Sequence, residues 1–177
     1  METGLEHLAT LAAAFKSAGG SVAGPIYDKK SLRALRRPLV ARKSSMDEER
    51  YMMVANVLSA KEANDTDTVY VALDEAGRAV GVCKCEEFWA YKTLQVNFLG
   101  STGEVRGAGA ALLAAAAAHA GADGWGLGVL GEDAEEYYEK LGMHETPEGM
   151  VGVSHWWTPE EVAVAAGLAM SPEGPAA

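Results

Sequence analysis

Between Gly103 and Gly124 the chain reads GEVRGAGAALLAAAAAHAGADG. Gly107 and Gly109 stand two apart, and a run built mostly of alanine and leucine follows at once. That composition predicts a helix over 107–122. A helix start leaves backbone N–H groups without partners and carries partial positive charge. Glycines let the chain turn tightly there and let a ligand approach the backbone. The combination suits a phosphate or pyrophosphate. Two familiar phosphate loops are excluded. No Gly-Lys-Ser/Thr follows, so the loop is not a P-loop. A dinucleotide fingerprint wants a third glycine three positions after Gly109, where Leu112 stands.

A second group follows in AEEYYEKLGMHE, Ala134 to Glu145. Tyr138 precedes Gly142 by four residues, with Tyr137 beside it. A phenol has an ordinary pKa of about 10, so it is protonated at neutral pH and can donate. It can equally pack its ring and anchor its hydroxyl. Carboxylates able to accept a proton stand at Glu86 and Glu87, and imidazoles at His144 and His155. A solvated or structural role is the ordinary reading of each. His119, near the end of the alanine helix, complements the helix dipole. Cys83 and Cys85 alternate along an apparent strand and share one face. Bridging them is geometrically poor, and no further ligands at zinc spacing appear, so they read as free thiols.

These residues need elements to hold them. Residues 4–18 read as a helix ending at Gly19-Gly20. Residues 21–36 lack a regular pattern and read as a connector with at most a short helix. Residues 37–44, RPLVARKS, read as a short strand. Ser45 would cap a helix starting near Met46, with Glu48 completing a capping box, and the helix runs to about Asn64. Segments 68–75, 79–92 and 93–101 read as strands, the first two joined by a hairpin at Ala76-Gly77-Arg78. In the third, Leu94, Val96 and Phe98 are expected on one face, and Gln95, Asn97 and Leu99 on the other. A buried strand at 125–131 and a helix at 132–143, stopped by Gly142, follow. A strand at 150–158 then leads to a helix capped by Thr158, with Pro159 and Glu161 in its first turn. Residues 171–177 read as a flexible tail. An antiparallel meander followed by strand–helix units implies a mixed α/β domain.

In this order and spacing, Glu104-Val105-Arg106-Gly107-Ala108-Gly109 and Tyr138-Glu139-Lys140-Leu141-Gly142-Met143 resemble the GNAT superfamily of acyl-CoA-dependent N-acetyltransferases. That family has a strand, a Q/R-x-x-G-x-G/A loop and a helix. After the next strand it has an alanine-bearing helix ending in Y-x-x-x-G-F. The resemblance covers roughly residues 37–158. The chain departs from the pattern at Glu104, where the family has Gln or Arg, and at Met143, where it has an aromatic residue. The LGS…GAGAAL…YYEKLGM layout is also similar to that of chains from tailed bacteriophages.

The resemblance implies a mixed, mostly antiparallel central sheet flanked by helices, with an extra N-terminal helix. The acetyltransferase domain would span 37–170, preceded by a helical arm and connector at 1–36. It implies acetyl-CoA as cosubstrate and no metal. Val105, Arg106, Gly107, Ala108, Gly109, Ala110 and Ala111 would hold the pyrophosphate. Phe98, Leu99, Gly100 and Ser101 would pair with the pantetheine arm, and a backbone N–H there would polarise the thioester carbonyl. Tyr138 would reprotonate the departing thiolate, with Tyr137 pointing elsewhere. Glu86 and Glu87 are the candidate bases. The alternative is a GNAT-fold module that binds or assembles without catalysis, and Glu104 together with the lack of a clear base is its mark. Residues 1–36 would then meet a second copy or another protein.

The formal net charge of -10 sets the field around such a site. An acidic surface repels phosphate backbones, so nucleic acid is not an expected partner. It favours a cationic acceptor such as a polyamine, an aminoglycoside or a lysine side chain. The basic stretch Lys29 to Lys43 is a local exception and reads as a solvated arm. The first twenty residues are too short and interrupted for a membrane span and lack the basic start of a leader. A cytoplasmic location is the expectation.

Overall fold

Thr3 and Glu6 close the start of α1 (Gly4–Ser17) reciprocally: the Thr3 hydroxyl accepts the Glu6 N–H and the Glu6 carboxylate accepts the Thr3 N–H. Such a capping box satisfies two donors that a helix start otherwise leaves orphaned. The computed structural model of the protein describes residues 2–41, 47–59, 67–131, 134–147, 150 and 152–169. Two N-terminal expectations are corrected. Residues 21–26, expected in a connector, form β1 (Ser21–Ile26), which pairs antiparallel with β2 (Thr68–Leu73). Residues 37–41, expected in a strand, lie in α2 (Lys29–Ala41), where Leu32 and Leu39 are buried and Leu35 packs beside them. That spacing is helical, and it outweighs the Pro38 inside the helix. The N-cap of α3 (Glu48–Leu58) is Asp47, whose carboxylate accepts the Arg50 N–H at 3.1 Å. Ser45 and Met46 lie outside the described residues. The helix ends at Leu58, and the expected extension to Asn64 falls largely outside them as well.

The remaining strands are β3 (Ala79–Phe88), β4 (Thr93–Ser101), β5 (Gly126–Val129), β6 (His144–Glu145) and β7 (His155–Trp157). They form one seven-stranded sheet in the order β1-β2-β3-β4-β5-β7-β6. Only β4 and β5 run parallel; the other neighbours are antiparallel. The crossover between the parallel pair is α4 (Ala108–Ala122), as a parallel connection requires. α5 (Glu135–Lys140) and α6 (Pro159–Ala169) complete the chain. Thr158 and Glu161 form the expected box at the start of α6, at 3.0 and 3.3 Å.

Helices cover both faces of the sheet. α1, α4 and α6 bury Leu8, Phe15, Leu112, Leu113 and Val162 with Leu94, Leu127 and Trp157 of the strands. On the other face α2 and α3 bury Leu32, Leu39, Val54 and Leu58 with Val71 and Val82. The mixed, mostly antiparallel sheet with an N-terminal helix is therefore the architecture present. Among the described residues, no helix is long and apolar enough to cross a membrane. Cys83 and Cys85 are free and buried, with sulfurs 3.5 Å apart.

One irregularity shapes everything that follows. Lys84 pairs with Phe98 and Cys85 with Val96, so the Asn97 backbone is skipped in the register with β3. An extra residue of this kind is a bulge, and it shifts the alternation of side chains beyond it. The expected facing of β4 is corrected accordingly. Leu94, Val96 and Leu99 point toward α4, whereas Phe98 joins the cluster under α2 and α3.

Candidate active site

The bulge coincides with the point where β4 and β5 part. Their pairing runs from Thr93–Gly126 to Val96–Val129 and stops. β4 continues to Ser101, held on its other side by β3 through Leu99–Cys83, Gly100–Val82 and Ser101–Gly81. Among the described residues, the β5-facing edge of residues 97–101 therefore has no strand partner. Backbone N–H and C=O groups on such an edge seek hydrogen bonds, and an extended ligand can supply them.

The chain then turns through Thr102–Arg106 and enters α4. Gly107 is the N-cap, with φ 87°, a left-handed conformation that glycine adopts without strain. It has no side chain to cap the helix, and the first intrahelical bond is Ala111 N–H to the Gly107 carbonyl at 2.9 Å. The N–H groups of Ala108, Gly109 and Ala110 are left as the helix's anion-ready donors. A Cβ at Gly107 would collide with the Leu11 carbonyl of α1. The loop is thus wedged between the sheet and the N-terminal helix.

Edge and helix start open into one cavity of about 530 Å³. Leu99, Gly100, Ser101, Val105, Arg106, Gly107, Ala108, Gly109 and Ala110 line it, opposite Tyr137 and Tyr138. That volume falls in the range of small-molecule sites, roughly 300–1,000 Å³. Two of the expected cofactor residues turn their side chains elsewhere, while the Phe98 backbone stays on the open β4 edge. The Phe98 ring faces the other side of the sheet because of the bulge. Ala111 lines a separate apolar hollow with Ala12, Phe15 and Val22. Two residues at or beside the cavity wall are not legible in the sequence. Leu11 arrives from α1, a contact between distant segments that no local pattern announces. Arg50 of α3 packs its guanidinium against Gly103, which itself lines the cavity.

Tyr138 is 8% exposed, and a Cβ added to Gly131 would touch its ring. Burial, with the neighbouring Tyr137, pushes its phenol up to about 12. It is fully protonated near neutrality. Tyr137 corrects an expectation. It does not point elsewhere: its hydroxyl lies 2.9 Å from where a Gly109 Cβ would stand, over the start of α4. Glu104 is not among the residues that line the cavity, and its carboxylate accepts the Thr102 hydroxyl at 2.8 Å.

The candidate bases separate. Glu86 pairs in register with Gln95, and its carboxylate accepts the Asn97 amide at 3.2 Å, beside the bulge. Glu87 faces the other way, 3.6 Å from Nε2 of His119, whose Nδ1 is 2.8 Å from the Tyr70 hydroxyl. His119 sits eleven residues beyond Ala108, about 16 Å along α4 at ~1.5 Å per residue. Glu87 therefore lies far from the glycine loop. His155 is buried against Ser154 (3.1 Å) and Glu139 (3.4 Å), and His144 pairs with Glu161 at 2.7 Å.

No family sequence model and no curated protein matches the chain. Solved structures do resemble it. A protein described as an acetyltransferase from Exiguobacterium sp. 255-15 aligns with TM-score 0.59 at 19% identity, over 82% of this chain and 97% of its own. A protein described as a GNAT-family acetyltransferase from Desulfovibrio desulfuricans aligns with TM-score 0.54 at 13% identity, over 78% and 99%. A chimeric spermidine N-acetyltransferase from Vibrio cholerae aligns with TM-score 0.50 at 12% identity, over 81% and 98%. At such identities the likeness is one of fold: the chain has the fold of the GNAT acetyltransferases.

Proposed function

We propose that the protein is an N-acetyltransferase that passes an acetyl group from acetyl-CoA to a primary amine by direct attack. The observation that carries this reading is one cavity joining three features. They are the open β4 edge, the bare N-terminus of α4 and a buried tyrosine. The donor set fits the cosubstrate. The N–H groups of Ala108 to Ala110, with Arg106 in the cavity wall and Arg50 against Gly103, suit a pyrophosphate. The edge of residues 97–101 suits the amide-bearing arm that follows it.

In this reading the thioester supplies an activated acetyl carbon. The amine lone pair forms the new C–N bond, the C–S bond breaks, and the electron pair leaves on sulfur. A backbone N–H of the β4 edge stabilises the charge developing on the carbonyl oxygen. Tyr138 donates its hydroxyl hydrogen toward the sulfur. Glu86 is the better placed of the two carboxylates to accept the amine proton, directly or through water, because it borders the bulge at which the strands separate. The acidic net charge favours a cationic acceptor, and polyamines and lysine side chains are the first classes to try.

The test is thiol release from acetyl-CoA across a panel containing a polyamine, an aminoglycoside and a lysine peptide. Amine-dependent release that falls in Tyr138→Phe supports the proposal. Acetyl-CoA binding with no amine-dependent release across the panel would point to the non-catalytic module instead.

A further inference from the structure

α2 carries five basic residues, Lys29, Lys30, Arg33, Arg36 and Arg37, and no acidic one. The wider stretch Lys29 to Lys43 holds seven of the chain's 15 Lys and Arg residues and none of its 25 Asp and Glu residues. A solvated arm would spread those charges. Here Leu32 and Leu39 anchor the helix in the core, and Arg33, Arg36 and Arg37 project to a common side. Spacings of three and four residues make them neighbours on the helix surface, where like charges oppose helix formation. All three line one cavity of about 560 Å³, together with Val40 and with Ser59 at the end of α3 among the described residues. None of the three makes an ion pair among the described residues, and the Nε of Arg36 is buried without a hydrogen-bond partner. A buried guanidinium donor left unmade costs free energy. Three arginines around one cavity in an otherwise acidic protein are an arrangement an anion would relieve.

We infer that Arg33, Arg36 and Arg37 form a second ligand site, which takes the phosphoryl group of a phosphorylated small molecule. Guanidinium forks match phosphate oxygens bidentately, which an ammonium does not. The volume favours a compact ligand over a polymer laid along the surface. The site is separate from the glycine loop. Arg50, which touches Gly103, and Ser59 lie nine residues apart on α3, about 14 Å at ~1.5 Å per residue. The inference does not depend on acetyl transfer.

Inorganic pyrophosphate is the probe, followed through the arginine Nε–Hε signals of the isotope-labelled protein. The Nε signals of Arg33, Arg36 and Arg37 should move together and saturate. Arg36→Gln should weaken that binding roughly ten- to a hundredfold, the loss expected for a charge-assisted hydrogen bond. Exposed Arg33→Gln provides a second variant should Arg36→Gln fold poorly. Unmoved signals, or movement confined to Arg106 of the glycine loop and Arg50 beside it, would overturn the assignment. A single-stranded oligonucleotide is titrated in parallel. Tighter binding of that polymer, with a steep salt dependence, would overturn the small-molecule reading.

Discussion

Tyr138→Phe deletes one hydroxyl from a side chain that is otherwise held by packing, so the cavity wall should survive the change. The size of the kinetic effect follows from the acidity of that hydroxyl. Burial has pushed the phenol up to about 12. A free thiol titrates near ~8.5. Complete transfer of the proton to a thiolate in this pocket would run uphill by roughly 5 kcal/mol, at ~1.4 kcal/mol per tenfold. Tyr138 is therefore expected to stabilise the departing sulfur mainly by hydrogen bonding, with the proton finally drawn from solvent. A hydrogen bond to a charged group contributes about 1.5–3 kcal/mol. Tyr138→Phe should accordingly lower kcat by roughly ten- to a hundredfold, at ~1.4 kcal/mol per tenfold, and leave acetyl-CoA affinity within about twofold. The assay is thiol release at saturating cosubstrate, with calorimetric affinities for both proteins. A change in kcat below about threefold would show that the hydroxyl does not meet the sulfur.

Further outcomes follow from the same geometry. Gly109→Glu adds a side chain whose first atom lies 2.9 Å from the Tyr137 hydroxyl and sets a carboxylate at the anion-binding helix start, so acetyl-CoA binding should be lost while circular dichroism stays native. Stability should decline at high pH: the Tyr138 phenol titrates near ~10 in the unfolded chain and about 12 in the native one. Its contribution is whole below pH ~10 and disappears between ~10 and ~12, a fall of up to roughly 3 kcal/mol. Denaturant unfolding should show a shallower decline in Tyr138→Phe. Tyr70, also raised by burial, adds a fall of the same sign. Leu112, fully buried under the sheet beside Gly81, should cost about 2–5 kcal/mol as Leu112→Ala. A lowering of the Tm by roughly 5–15 °C in calorimetry checks it.

The elements legible in the sequence were those whose cause is local. Thr158 and Glu161 mark the start of α6 because a capping box is written in four residues. The glycine loop and the Tyr138–Gly142 pair were visible for the same reason: helix-start donors and a tyrosine one turn before a C-terminal glycine need no distant partner. What stayed hidden depends on pairing across the chain. β1 contains Gly24 and Pro25, which break any strand pattern, and the ladder with β2, with Val22 and Ile26 packed on the two cores, holds it. In α2, Pro38 beside Leu39 and Val40 imitates a short strand, while the helical stripe of Leu32, Leu35 and Leu39 shows only when the segment is read from Lys29. The bulge at Asn97 is a property of register, so the facing of Phe98 and Leu99 could not be read from β4 alone. Neighbours on a helix diverge by about 100°, so the sequence alone directs Tyr137 away from the face of Tyr138. The cavity is concave enough for both tyrosines to line it.

The central claim is that the start of α4 and the open edge of β4 together hold acetyl-CoA. Calorimetric titration of acetyl-CoA into the purified protein tests it most directly. The account predicts saturable binding at one site per chain, absent in Gly109→Glu. It also predicts a stabilisation of about 2.7 kcal/mol at a hundredfold excess over Kd. A folded protein that takes up no acetyl-CoA, or one that binds it equally well with glutamate at position 109, would contradict it.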